Sequence, residues 1–418
     1  MKQILKNFNF VILLLGRSLS NVGSSLYSVA AMWLVYELGG SSFYTGLALF
    51  LTQMPAILQI LLGPMIDRFH VKRLLVGTQM LQVVLLLIVP VAHAFGILTI
   101  AVVLTVMPVV SLCNQFLYPT QLSLLPKILK KEQLTKGNSL FAVAYQGTDA
   151  LFNAIAGLLL AVVGAIAIFY INSLTFLLSA ALLMLLRIPF TKMARQHSEK
   201  PSARAMVTDY IGQLKEGINV LMHPFFRNLL GGVVFVNLAG AGMFAVLPAF
   251  SAAHGGPEYY GLFLSAAGIG VIVGAALVSV LKLDRIKVGR LYAGVISING
   301  VCMVVLTMIP NPWVSILLFG LSWLPAGIIN VSSQVIIQSA IPSHLLGRVM
   351  AAVMGISAGI APVGALLGGS VGAILTSDAV ILISGIIMLI VAVIWTFNRT
   401  MKKIPAVKDL TPETFQLG

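Results

Sequence analysis

Long apolar runs, broken by short charged turns, fill the chain from Phe8 to Arg187 and again from Arg227 to Arg399. A helix that crosses a bilayer needs about 20 apolar residues. Runs of that length lie at 8–38, 43–66, 73–95, 98–124, 138–164, 166–187, 226–252, 259–281, 289–310, 313–340, 346–376 and 379–398. Inside lipid every backbone polar group has to be bonded within the protein, which makes each such run a helix. With 59% of its 418 residues hydrophobic and 9% charged, the chain is expected to be an all-α membrane protein of twelve transmembrane helices. The first run is too long for a signal peptide and ends in no small-residue cleavage site, so it reads as a retained span.

The net charge of +14 does not mark a nucleic-acid surface, because its placement is periodic. Every Lys and Arg except Arg17 lies at a segment end or in a connection. They occupy the N-terminus, the even-numbered connections (Arg68, Lys72 and Arg73 in the first of them) and the C-terminal stretch. The odd-numbered loops hold Glu37, His93, His254, Glu258 and Asp378, with no Lys or Arg. By the positive-inside rule, both termini are expected in the cytoplasm of a multi-pass protein of the bacterial cytoplasmic membrane. The two cysteines, Cys113 and Cys302, sit within apolar runs as small core residues. The six His are scattered and form no metal-ligand set, and there is no phosphate-binding Gly-x-x-x-x-Gly-Lys loop. Neither a metal, a cofactor nor an enzyme activity is expected.

One connection, Arg187 to Arg227, is long and polar, and it divides the spans six and six. The expected organisation is an N-terminal bundle at 1–187, a cytoplasmic linker at 188–225, a second bundle at 226–400 and a cytoplasmic tail at 401–418. Residues 211–222 of the linker have the make-up of an interfacial amphipathic helix. Weak internal repetition supports the division. Gly63, Asp67-Arg68 and Lys72-Arg73 have counterparts in Gly274, Asp284-Arg285 and Lys287. Leu125-Pro126 and Gly137-Asn138 have theirs in Ile341-Pro342 and Gly347-Arg348.

The hairpin Gly63-Pro64-Met65-Ile66-Asp67-Arg68-Phe69-His70-Val71-Lys72-Arg73 resembles the loop 2–3 signature of the major facilitator superfamily of secondary transporters. Further stretches resemble its drug:proton antiporter group, which includes macrolide and siderophore exporters. They are Leu15-Gly16-Arg17-Ser18-Leu19-Ser20-Asn21 through Ser25, Trp33 through Ser41, Pro119 through Leu140, and Gly359 through Gly369. The resemblance implies two pseudo-symmetric six-helix bundles, alternating access, and a cavity lined by spans one, four, seven and ten. It also implies a gate in which Gly63, Asp67, Arg68 and Arg73 latch against the start of span eleven near Ser343–Arg348. Span five departs from many exporters: it reads Gly147-Thr148-Asp149 through Gly157, with an Asp and no Pro. The basic residue that many antiporters keep in span four is missing.

Two ionisable side chains lie deep within spans. Arg17 is nine residues past Phe8, roughly 13 Å deep, and Asp149 is eleven residues into span five, about 16 Å deep. A charge at that depth is costly unless paired or hydrated. A carboxylate in low-dielectric surroundings holds a proton more readily than in water, so Asp149 is the candidate proton carrier; as helix glue it would instead bond Arg17, Gln146 or Asn153. Arg17 offers a fork of donors to an anionic substrate; the alternative is a pairing with Asp149 or with kink carbonyls near Gly16. Polar residues at helical spacing mark further cavity candidates: Asn21 and Ser25 on span one, Asn114, Tyr118 and Gln121 on span four, Asn237 on span seven, and Asn330, Gln334 and Gln338 on span ten.

The expected function is proton-coupled export of a small organic molecule, a drug-like amphiphile or a secreted metabolite such as a carboxylate siderophore. The alternatives are a lysophospholipid or other lipid transporter of the same fold, and a non-transporting receptor or scaffold. Its expected partners are the small-molecule substrate, protons and the bilayer, with no nucleic acid and a monomeric state.

Overall fold

The computed structural model describes residues 4–66, 71–122, 124–187, 212 and 215–411. The described residues form helices joined by short turns, with one isolated antiparallel bridge between Lys287 and Ala406. In order these are α1 (Phe8–Gly39), α2 (Ser42–Ile66), α3 (Val71–Ala94), α4 (Ile100–Leu122), the short α5 (Leu125–Ile128) and α6 (Leu134–Met184). They continue as α7 (Pro224–His254), α8 (Pro257–Val280), α9 (Val288–Leu306), α10 (Pro312–Ala340), α11 (Ser343–Ile374), α12 (Ser377–Phe397) and α13 (Arg399–Lys403).

At 1.5 Å per residue, the 51 residues of α6 would exceed two bilayer thicknesses as one rod. Gly164 breaks it at φ 78°, ψ 164°, a backbone state that only glycine adopts freely, so α6 supplies spans five and six. Nine helical segments among the described residues are long and apolar enough to cross a membrane. Adding α1, α2 and the first half of α6 gives the twelve helices expected.

Local chemistry sets the helix ends. The Asn7 side chain accepts from the Phe10 amide at the start of α1, and Gly40 ends it in the left-handed region. Asn311 and Thr376 cap α10 and α12 in the same way, and Pro224, Pro257 and Pro312 occupy first-turn positions that need no amide donor. Pro108, Pro325 and Pro362 lie within their helices.

The chain forms two compact units, residues 1–40 with 51–203 and residues 41–50 with 204–418. The first turns of α2 group with the second unit. In the first unit, α1 lies along the span-six half of α6, and α3 packs on α6 and α4. In the second, α8 packs on α10, α9 on α12, and α7 on α11 and α12. Glycines bring α8 and α10 to backbone contact: a side chain at Gly270, Gly274 or Gly327 would run into the Gly320, Leu324 or Val271 carbonyl. Gly274, the counterpart of Gly63, thus serves close helix approach. Trp395 is buried against Gly232 and donates from its indole to the Asn228 carbonyl at 3.1 Å.

The stretch after α12, expected as a tail, folds back on the second unit. Met401, Ile404, Val407 and Leu410 are buried in its core with Leu283 and Val288. The Val288 amide donates to the Pro405 carbonyl at 3.2 Å, and Gly289 lies against the Met401 backbone. Its apolar residues have core to bury in, which the charges of Lys402, Lys403 and Lys408 hide when the sequence is read alone.

Candidate functional site

Arg17 lies nine residues past the start of α1 at Phe8 and is 5% exposed. Gly16 beside it lets Leu183 of span six come within 3.1 Å of where a side-chain carbon would be, so α1 is held tightly at this depth. The guanidinium Nη1 donates to Gln121 Oε1 of α4 at 3.3 Å. Asn21 and Ser25, one and two turns further along α1, are buried on the same side. A planar donor fork set in a polar stripe matches the geometry of a carboxylate.

A second polar layer backs this stripe. Gln82 of α3 donates to Asn114 Oδ1 of α4 at 2.8 Å and to the Val110 carbonyl at 3.4 Å. Gln79, one turn earlier, donates to the Ser20 hydroxyl. The hydroxyls of Ser20 and Ser179 lie 2.8 Å apart, and both reach the Gly16 carbonyl at 2.9 Å. Sequence reasoning singled out Asn114 and Gln121 and passed over Gln79, Gln82, Asn172 and Ser179. The available signal was an amide pair three residues apart inside an apolar span, which places both on one helix face.

Asn237 on α7 is half-buried, while Asn330 and Gln334 are exposed on α10, on the side away from its packed residues Ser332, Ile336 and Ala340. Tyr118 and Asp149 stand on α4 and α6, and Gly63 on α2, but their side-chain surroundings lie outside the described residues. Asp67 and Arg68 lie outside the described residues altogether; Arg73 is exposed at the start of α3. Phe244 and Trp323 have ring centroids 4.9 Å apart, and Trp33 stands 6.1 Å from Tyr36.

At the two ends of the second unit, further contacts were not anticipated. Arg348, near the start of α11, forms an ion pair with Glu216, and Gly217 sits directly on the Arg348 carbonyl and Ala352. The end of the linker, helical over residues 215–221, is therefore docked on α11. At the opposite end, the first turns of α2 pack on α7 and α11. Ser42 donates to the Gly369 carbonyl at 3.1 Å, Thr45 donates to the Ala245 carbonyl, and Gly46 and Gly369 meet backbone to backbone. On the adjoining face of α11, Gly364 and Gly368 meet Leu238 and Gly242 of α7 in the same way.

Comparison with known proteins places this architecture. A model of the family described as transmembrane secretion effector matches residues 4–415. The multidrug efflux pump Tap of Mycolicibacterium fortuitum is 22% identical over 399 residues, 92% of this chain and 94% of Tap. The uncharacterized MFS-type transporter YkuC of Bacillus subtilis (strain 168) is 26% identical over 355 residues, 83% of this chain and 81% of YkuC. Among solved structures, the nucleoside transporter NupG superposes with a TM-score of 0.67 at 14% identity, over 95% of this chain and 99% of its own. A bacterial homologue of the human lysosomal transporter Spinster, in an inward-facing and unoccupied conformation, gives 0.67 at 13% identity, over 96% and 98%. At such identities the structural likeness shows the fold alone. The family match, running almost from end to end of a twelve-helix chain, shows more: this protein is a multi-pass membrane transporter, not an enzyme, and belongs to the transmembrane secretion effector family of the major facilitator superfamily.

Proposed function

We propose that this protein exports a small organic molecule across the bacterial cytoplasmic membrane in exchange for protons, by alternating access. The observation that carries the reading is Arg17, a cation buried in mid-span, bonded to Gln121 and continuous with Asn21 and Ser25. A charge held at that depth is costly and is retained where it meets a substrate, an ion or a partner. The guanidinium fork suits a carboxylate-bearing metabolite or drug-like amphiphile. The relation to Tap, a multidrug efflux pump, supports the outward direction. Asn114, Tyr118, Asn237, Asn330 and Gln334 complete the cavity wall in this reading, and both termini face the cytoplasm.

Asp149 is the proton carrier. Low-dielectric surroundings let its carboxylate hold a proton more readily than in water. For exchange, Asp149 takes a proton on the outer side once substrate has left and gives it up on the inner side before the next substrate binds, so each outward substrate step is matched by an inward proton step. Comparative metabolomics of medium from cells with and without the protein identifies the exported molecule. In proteoliposomes with an imposed pH gradient, Asp149→Asn is then expected to bind that molecule but not to accumulate it. Uphill transport at the parental rate would place the coupling site elsewhere.

A further inference from the structure

The face of α1 that carries Gly16, Ser20, Gly23 and Tyr27 is not the face that carries Arg17, Asn21 and Ser25. It lies along span six, antiparallel, against Ser179, Phe176, Asn172 and Phe169. At the level of Gly23, Asn172 Oδ1 and Thr175 Oγ1 point at the glycine, 3.1 and 2.5 Å from where a side-chain carbon would be. Asn172 is 0% exposed, and neither its amide nitrogen nor its amide oxygen has a hydrogen-bond partner. One turn away Tyr27, 6% exposed, packs edge-on against Phe169 with its hydroxyl unpaired. One turn the other way Gln79, 0% exposed, spends its amide nitrogen on Ser20 and leaves its oxygen unpaired.

Four orphaned polar atoms therefore follow one another along the seam at the back of α1: two on Asn172 of span six, one on Tyr27 of α1 itself, and one on Gln79, which reaches Ser20 from α3. They comprise donors and acceptors alike, so a lone cation or anion does not suit them all. Buried polar atoms that lack protein partners are met by internal water where several converge. We propose that this seam is a water-binding site: a file of internal water molecules runs between span one and span six, from Gln79 past Asn172 to Tyr27. From Ser20 to Tyr27 its length is about 10 Å, seven helical rises. Span one, the helix that bears the buried charge, is then hydrated along its back. The glycine-lined seam between α8 and α10 shows the contrast: there helix backbones close on one another at Gly270, Gly274 and Gly327.

X-ray radiolysis generates hydroxyl radicals from water in contact with a side chain, so buried residues beside bound water are labelled and dry ones are not. The test uses the full-length protein in lipid nanodiscs. Phe169 and Phe176 are expected to label several-fold faster than Phe225, which is equally buried in the second unit, and Tyr27 several-fold faster than the buried Tyr292, which is bonded to Ser333. Asn172→Leu, which removes the central pair of polar atoms, is expected to return Tyr27 to the slow rate. Labelling of all five residues at one slow rate in the parent protein overturns the proposal without any variant. Fast labelling that Asn172→Leu leaves unchanged also overturns it, since the water would then be held by other groups. Tyr27→Phe supplies the check if Asn172→Leu fails to fold: it removes an orphaned hydroxyl and no protein hydrogen bond, so a dry seam gains thermal stability and a wet one loses it.

Discussion

Arg17 is the residue on which the proposed chemistry turns, and its bond to Gln121 can be tested before the substrate is identified. Removing the guanidinium leaves Gln121, already unpaired at its amide nitrogen, with both amide atoms unmet. Arg17→Ala and Gln121→Leu should therefore be coupled, with an interaction energy of about 0.5–3 kcal/mol in a double-mutant cycle read by thermal unfolding. Strict additivity would mean that the 3.3 Å contact is incidental. Once the exported molecule is in hand, Arg17→Ala should weaken its binding by about 10–100-fold if it carries a carboxylate, the worth of a hydrogen bond to a charged group, and Arg17→Lys should restore only part, since an ammonium lacks the planar fork. Sequence alone exposed Arg17, because a cation in an apolar run stands out. It did not expose Gln79, Gln82 or Asn172, since a neutral amide in a span is ordinary and its cost becomes visible only when the partners are counted in three dimensions.

At the scale of elements, the helices were legible and their docking partners were not. Hydropathy and the positions of Asn, Pro and Gly marked the span ends because those residues act locally. The linker helix and the stretch after α12 depend on distant surfaces. Glu216 and Arg348 are both largely solvent-exposed, so their ion pair contributes little, within about 0–1 kcal/mol. Gly217 matters more, because a side chain there meets backbone rather than a movable side chain. Gly217→Leu is expected to undock the linker helix and Glu216→Gln to leave it in place; limited proteolysis of residues 215–221 distinguishes them, and equal cutting of both variants would refute the glycine's role. The C-terminal stretch makes the parallel case. Val407 and Leu410 are buried beside Leu283, and Pro405 holds the Val288 amide. Val407→Asp should release this stretch and speed hydrogen exchange at Val288 and its neighbours by at least about tenfold, the loss of about 1.4 kcal/mol of local stability. Unchanged exchange would show that the α8–α9 turn stands without it.

For the whole molecule, the sequence conveyed the count of helices, because hydropathy and charge alternation are properties of the chain itself. It did not convey that the first turns of α2 pack with the second unit. That grouping rests on small residues: Gly46 meets Gly369 backbone to backbone, while Ser42 and Thr45 spend their hydroxyls on the Gly369 and Ala245 carbonyls. Close approach of this kind gains dispersion and carbonyl hydrogen bonds without interlocking side chains, so two helices can part and rejoin without repacking a core. Under the proposed transport cycle this is the contact that opens to the outside, since it lies at the end of α2 next to the loop that carries no Lys or Arg. Gly46→Leu puts a side chain where only backbone fits, which should hold the contact open. A cysteine at Thr45 should then react faster with a membrane-impermeant maleimide added from outside in the Gly46→Leu background than in the parent, and transport should be lost although the protein still folds. Equal labelling in the two backgrounds, with transport retained, would mean that α2 stays on α7 and α11 throughout the cycle and that the outer opening lies between other helices.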